Sequence, residues 1–141
     1  MGDNASSPRS FRLSASTCAL LDDLADVANE SRNSLVERML AEALRTENHP
    51  LIRFRLGASG RREPMVTGTR LTVRQLVRQV KDAPGGVQEI AEIMELPASL
   101  VRAAMSYYAE FQSEVDADIA WATKVEQQER ERWEREQALT A

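Results

Sequence analysis

The sequence predicts a mainly α-helical chain with short β-segments. Three observations carry this expectation: apolar residues recur at helical spacing along most of the length, strand-like stretches are confined to residues 8–13, 51–56 and 64–73, and the C-terminal segment is densely charged around a narrow apolar stripe. At 141 residues a large multi-domain enzyme is excluded, and a small module is expected to need a partner chain to complete its core. Hydrophobic residues make up 43% and charged residues 28%, the proportions of a globular chain, and no apolar run is long enough to span a bilayer. Residues 1–8 are small and polar, expected to be disordered, and read as neither a signal peptide nor a lipidation signal, so a cytoplasmic, nucleoid-associated location is expected. The single Cys18 allows no internal disulfide and the single His49 no Cys/His zinc site, so no metal or cofactor is expected.

Pro8-Arg9-Ser10-Phe11-Arg12-Leu13 alternates, placing Phe11 and Leu13 on one face and Ser10 and Arg12 on the other. A helix follows, with Leu20, Leu21, Leu24, Val27 and Ala28 in phase and Ser14 or Ser16 as its cap. It stops at Asn29-Glu30-Ser31, and Cys18 within it reads as a small buried hydrophobe. A second helix carries a wide stripe of Leu35, Val36, Met39, Leu40, Ala43 and Leu44. His49-Pro50 ends this unit, with His49 read as a surface linker residue without a role. Leu51–Leu56 alternates strictly with Arg53 and Arg55 on the exposed face, Gly57–Gly60 supplies turn residues, and Pro64–Val73 reads as a returning strand. Thr72 caps a helix containing Val73, Leu76, Val77 and Val80, which closes at Asp82–Gly86. Residues 87–104 have helix-turn-helix spacing around Ala91. Between Ala98 and Ser106 only Ser99, Arg102 and Ser106 offer donors, which favours a packing unit over a base reader.

Charge is distributed in blocks. Residues 1–52 hold five arginines and eight acids, residues 53–81 eight basic residues and one acid, and residues 82–141 five basic residues and thirteen acids. A basic block between two acidic ones is common in nucleic-acid binders that also carry a protein-binding arm. Sixteen of the eighteen basic residues are Arg, whose planar fork suits phosphate and guanine edges.

Strand, helix, tight turn and helix over Arg9–Thr46 resemble the ribbon-helix-helix family of DNA-binding proteins, many of them bacterial antitoxins. A lone short strand cannot satisfy its backbone or bury both apolar side chains, so a second copy is required, with Phe11 and Leu13 in the dimer core. The resemblance implies that Ser10 and Arg12 read base edges and that the start of the second helix, at Arg32 and Asn33, clamps a phosphate. The turn carries Asn29-Glu30 where that family usually has glycine.

Pro64, Gly68-Thr69-Arg70 and Val73, followed by a tri-helical unit ending near Tyr107-Tyr108, are similar to a small antitoxin-associated family of domains of unknown function with a Gly-Thr-Arg signature. Its members are usually classed as VapB-like type II antitoxins and are commonly encoded beside PIN-like nuclease toxins. The likeness spans about residues 50–118 and departs at Arg62, where glycine is usual. Arg70 either braces the hairpin or contacts phosphate, with bracing favoured, and Arg53, Arg55, Arg61, Arg62, Arg74 and Arg78 are expected to add phosphate attraction.

From Ser113 onward Val115, Ile119, Ala122 and Val125 form a narrow stripe, after which Glu129–Glu136 is almost wholly charged around Trp133. The segment reads either as an arm docking on another protein through Trp121 and Trp133 or as a solvated helix. The expected organisation is a tail (1–8), a ribbon-helix-helix module (9–47), a β-hairpin and tri-helical domain (50–112) and a helical arm (113–141). No nucleophile–base pair, metal spacing or phosphate loop is present in the sequence, so an enzyme is not expected. The expected function is that of a homodimeric antitoxin, or a higher even oligomer, that represses its own promoter by binding operator DNA. Its arm would neutralise a PIN-like nuclease toxin, with Arg130, Arg132 and Arg135 opposite the toxin's acidic metal site. The alternatives are a stand-alone dimeric regulator and a protein-binding adaptor.

Overall fold

The computed structural model describes residues 5–57 and 60–141 and is mainly helical with one two-stranded antiparallel hairpin. Residues 1–4 of the expected tail and residues 58 and 59 of the expected hairpin turn lie outside the described residues. The elements are α1 (Ala15–Ala28), α2 (Arg32–Asn48), β1 (Ile52–Leu56), β2 (Arg62–Val66), α3 (Val73–Asp82), α4 (Gly86–Ile93), α5 (Ala98–Glu110) and α6 (Gln112–Thr140). The chain divides into two compact units, one ending at Ala41 and the other beginning at Glu42.

In the first unit Ser14 caps α1, its Oγ accepting from the Thr17 amide at 3.2 Å. Asn29 ends the helix at φ 51°, and its N–H donates to the Ala25 carbonyl. Asn is among the few residues that tolerate this left-handed conformation, so it fills the place of the usual glycine. Ser31 Oγ accepts from the Ser34 amide at 3.1 Å to open α2. Only Ala25 and Leu35 are buried among this unit's described residues, whereas Phe11, Leu20 and Val27 are each more than two-thirds exposed. Residues 8–13 are not a strand in the single chain, contrary to expectation, because a strand needs a ladder and no segment of the described chain runs beside them. Cys18 is exposed, not buried, because the apolar surface around it has no cover.

The second unit has a continuous core of Ile52, Val66, Val73, Leu76, Val77, Ile90, Val101, Ala104, Tyr107 and Val115. In the hairpin Ile52 stands opposite Val66 and Phe54 opposite Pro64. Pro64 has no N–H to give a ladder, which a two-stranded sheet tolerates because both strands are edges. The returning strand is shorter than expected. It ends at Val66, and Met65 and Thr72 make only an isolated bridge. The reason lies in Gly68, whose φ of 80° reverses the chain. Thr69 staples the reversal, its Oγ1 donating to the Val66 carbonyl at 2.8 Å and accepting from the Leu71 amide at 3.0 Å.

Thr72 and Gln75 then form a reciprocal capping box that starts α3 at Val73. α4 and α5 meet through a turn with Glu95 at φ 54°, burying Ile90 and Ala91 from one helix and Val101 and Ala104 from the other. Lys81 Nζ donates to Tyr108 Oη at 3.3 Å and Tyr108 Oη to Asp116 Oδ1 at 2.7 Å, tying α3, α5 and α6 together. α6 runs for 29 residues, about 43 Å. Its first half belongs to the core through Val115, Ile119 and Ala122, and from Glu126 onward every residue is exposed.

Two substitutions test this packing. Leu76→Ala removes a fully buried side chain and is expected to cost about 2–5 kcal/mol in denaturant unfolding. Gly68→Ala meets no neighbour within 4 Å, so its expected cost of about 1–2 kcal/mol is that of the left-handed backbone alone. Wild-type unfolding midpoints in either variant would refute the assignment.

Candidate nucleic-acid interface and partner arm

The residues expected to read DNA in the first unit are on its surface. Ser10 and Arg12 are exposed in irregular backbone beside the equally exposed Phe11 and Leu13, so the two-faced arrangement needs a ladder partner that one chain lacks. Arg32 Nε donates to Asp22 Oδ1 at 2.6 Å, and this hydrogen bond holds the guanidinium pKa above its ordinary value. Asn33 is exposed in the first turn of α2. Next to it Glu30 accepts from Arg38 Nη2 at 3.0 Å and from Ser34 Oγ at 3.1 Å, and Arg38's hydrogen bond leads in lowering its pKa.

The basic block of the second unit is largely engaged. Arg53 donates to the carbonyls of Pro50 and Ile52 at 2.7 and 3.1 Å. Arg61 reaches Asp118 at 2.8 Å while its guanidinium lies over the Trp121 ring, 4.7 Å from the centroid. Arg62 pairs with Glu42 and also donates to the Phe54 carbonyl at 3.3 Å. Arg74 meets Glu63 at 3.2 Å and Arg78 meets Glu126 at 3.3 Å. Arg55 and Arg70 are exposed and have no ion-pair partner among the described residues, so Arg70 does not brace the hairpin; beside it the Thr69 hydroxyl holds the turn that follows β2. Trp121 is half-buried against Arg61, whereas Arg130, Arg132, Trp133 and Arg135 are exposed on the outer half of α6.

Sequence reasoning missed the cluster at the end of α2. Arg45 Nη1 and Nη2 grip both carboxylate oxygens of Glu114 at 2.6 and 3.0 Å, Nη1 also donates to Tyr107 Oη at 3.0 Å, and the guanidinium lies 3.9 Å from the Phe111 ring centroid. The hydrogen bond from Arg45 holds the Glu114 carboxyl below its ordinary range, and burial raises the Tyr107 hydroxyl. His49, expected at the surface, is instead buried, with Nε2 2.6 Å from Glu110 Oε2 and its ring edge-on to Tyr107 and Phe111. One faint signal was available: Glu114, Asp118 and Glu126 lie at multiples of four, on one side of α6. Among the described residues no three His, Cys, Asp or Glu side chains group as a metal site, and no helix is long and apolar enough to cross a membrane.

The cluster has a pH signature. A lowered folded pKa means that ionised Glu114 contributes stability above the ordinary carboxylate range and loses it as pH falls through the lowered value. Asp118 has the opposite sign, because burial raises its pKa and ionisation then works against the fold as pH rises. Glu114→Gln is expected to cost about 1 kcal/mol or less at neutral pH, as fits a solvent-exposed pair, and to flatten the acid limb of a Tm-against-pH curve. Arg45→Ala, which loses Glu114, Tyr107 and Phe111 together, should cost about 2 kcal/mol. Equal Tm values for Arg45→Ala and wild type at pH 7 would show that the cluster is not a fastening.

Compared with known proteins, the chain matches no family model, no curated protein and no solved structure.

Proposed function

We propose that the chain is a DNA-binding antitoxin that works as a homodimer, represses its own promoter through the first unit and captures a PIN-like nuclease toxin with the free half of α6. The observation that carries this reading is the uncovered apolar face of the first unit. Eight large apolar side chains, from Phe11 to Leu40, are exposed there over two buried residues, far more than a stable monomeric unit leaves in water. A second copy supplies the cover. Pairing residues 8–13 with the same segment of that copy makes a two-stranded ribbon, with Phe11 and Leu13 inward and Ser10 and Arg12 outward, a width that suits the major groove. Repression follows from occupancy of the promoter by this dimer. Since Arg61, Arg62, Arg74 and Arg78 are engaged by acids, the second unit contributes less free positive charge than its composition implies.

The outer half of α6 supports the second activity. It is acidic enough to be repelled by DNA and presents Trp133, 59% exposed, among Arg130, Arg132 and Arg135. A guanidinium from this set suits the carboxylate cluster that holds metal in a PIN-like nuclease. The remaining partner of the chain is operator DNA.

Arg12→Ala is expected to keep the dimer and lose about 1–3 kcal/mol of operator binding for each bidentate contact, applied twice by the twofold. Phe11→Ala should dissociate the dimer in light scattering. Wild-type operator affinity in Arg12→Ala would sink the ribbon reading. A chain ending at Val125 keeps the core residues of α6, so it should fold, dimerise and bind operator, yet fail to rescue cells from the toxin encoded beside it. Rescue by that shortened chain would move the toxin-binding surface off the arm.

A further inference from the structure

Seven arginines lie between residues 53 and 78, and five of them have carboxylate or carbonyl partners. The two without a partner among the described residues, Arg55 and Arg70, line one groove of about 570 Å³ between the hairpin, the start of α3 and α6. That volume lies within the range of small-ligand sites.

Apart from these two cations and Glu129 at the outer edge, the charged groups of the groove are engaged. Glu63, its side chain 12% exposed, stands opposite Arg55 in the strand register and is neutralised by Arg74 at 3.2 Å. Gly57 makes room for that carboxylate, since a Cβ there would collide with it. Gln75 Oε1 is used by the Thr72 amide. On the α6 wall Glu126 is held by Arg78, and Trp121 is held by Arg61, whose guanidinium is itself fixed by Asp118. Two guanidinium groups that pair with no carboxylate on one cavity repel each other, and an anion between them reverses the sign of that interaction. Their planar forks match phosphate oxygens. The aromatic neighbour suits a base, which stacks on any π-face. Glu126 and Glu129 on the α6 wall oppose a polyanion laid along the groove, so a single phosphate fits better than a strand.

From this we infer that the groove binds a mononucleotide, its phosphate on Arg55 and Arg70 and its base beside Trp121. The inference does not depend on operator binding by the first unit, whose residues are separate from these.

The test uses the full chain carrying Trp133→Phe, which leaves Trp121 as its one tryptophan. Adenosine and guanosine monophosphate, adenosine, inorganic phosphate and a short single-stranded oligonucleotide are titrated by calorimetry and by Trp121 fluorescence. A saturable fluorescence change with a mononucleotide, competed by inorganic phosphate, is expected. Arg55→Gln and Arg70→Gln, both at exposed positions, should each weaken it about tenfold with an unchanged circular dichroism spectrum. The inference is overturned by the absence of saturable mononucleotide binding, by unchanged affinity in the two variants, by adenosine binding as tightly as its monophosphate, or by the oligonucleotide binding more tightly than the mononucleotide.

Discussion

Arg45 meets three chemically different partners at once, and the second unit is organised around that meeting. Its two forks close on the Glu114 carboxylate, one also reaches the Tyr107 hydroxyl, and its plane rests on the Phe111 ring. Glu114 lies in the first turn of α6, Tyr107 in the last turn of α5 and Phe111 between the two helices. One planar cation therefore ties the last turns of α2 and α5 to the first turn of α6. A lysine would satisfy one of these partners as a point charge and leave the others. His49 completes the arrangement from the next turn, filling the space beside the same two aromatic rings while holding Glu110.

The blocks of charge along the sequence take on a different meaning once folded. A stretch with eight basic residues and one acid reads as a surface for phosphate, yet four of its arginines are met by Glu42, Glu63, Asp118 and Glu126. Two of those acids come from α6, so part of the acidic C-terminal block serves as internal counter-charge. The polarity of the chain is spent on registering its own helices. Among the arginines of that stretch, Arg55 and Arg70 on the groove are the ones left without a partner among the described residues.

What the sequence made legible was local. Ser14 and Thr72 act as caps within three residues of their partners, and β1 alternates from Ile52 to Arg55 but leaves Leu56 exposed at its end. The helix-turn-helix spacing around Ala91 follows from the same short-range regularity. Contacts between distant residues left no pattern to read: Arg45 and Glu114 are 69 positions apart and His49 and Glu110 are 61. The returning strand ends earlier than its β-branched residues suggest, because Gly68 makes a sharp turn inside the stretch. Of the two unpartnered arginines of the groove, Arg55 stands out in the sequence only as a member of a basic block and Arg70 only through the Gly-Thr-Arg signature. Their distinction emerges by subtraction, after the acids have claimed their neighbours. The strand expected at residues 8–13 is a different case, since no segment of the described chain runs beside it.

α6 is one uninterrupted helix of which only the first half is packed. An isolated peptide of the length of its outer half sits at the margin of helix formation in water, because the first turn costs several dihedrals for one hydrogen bond. Here that nucleus already exists in the turns anchored by Val115 and Ala122, and each later residue adds only a propagation step. The outer half thus arrives at any encounter already ordered. A partner that grips it forgoes most of the ordering entropy usually charged to a binding segment, and association with it should behave as the docking of a rigid rod rather than as folding upon contact.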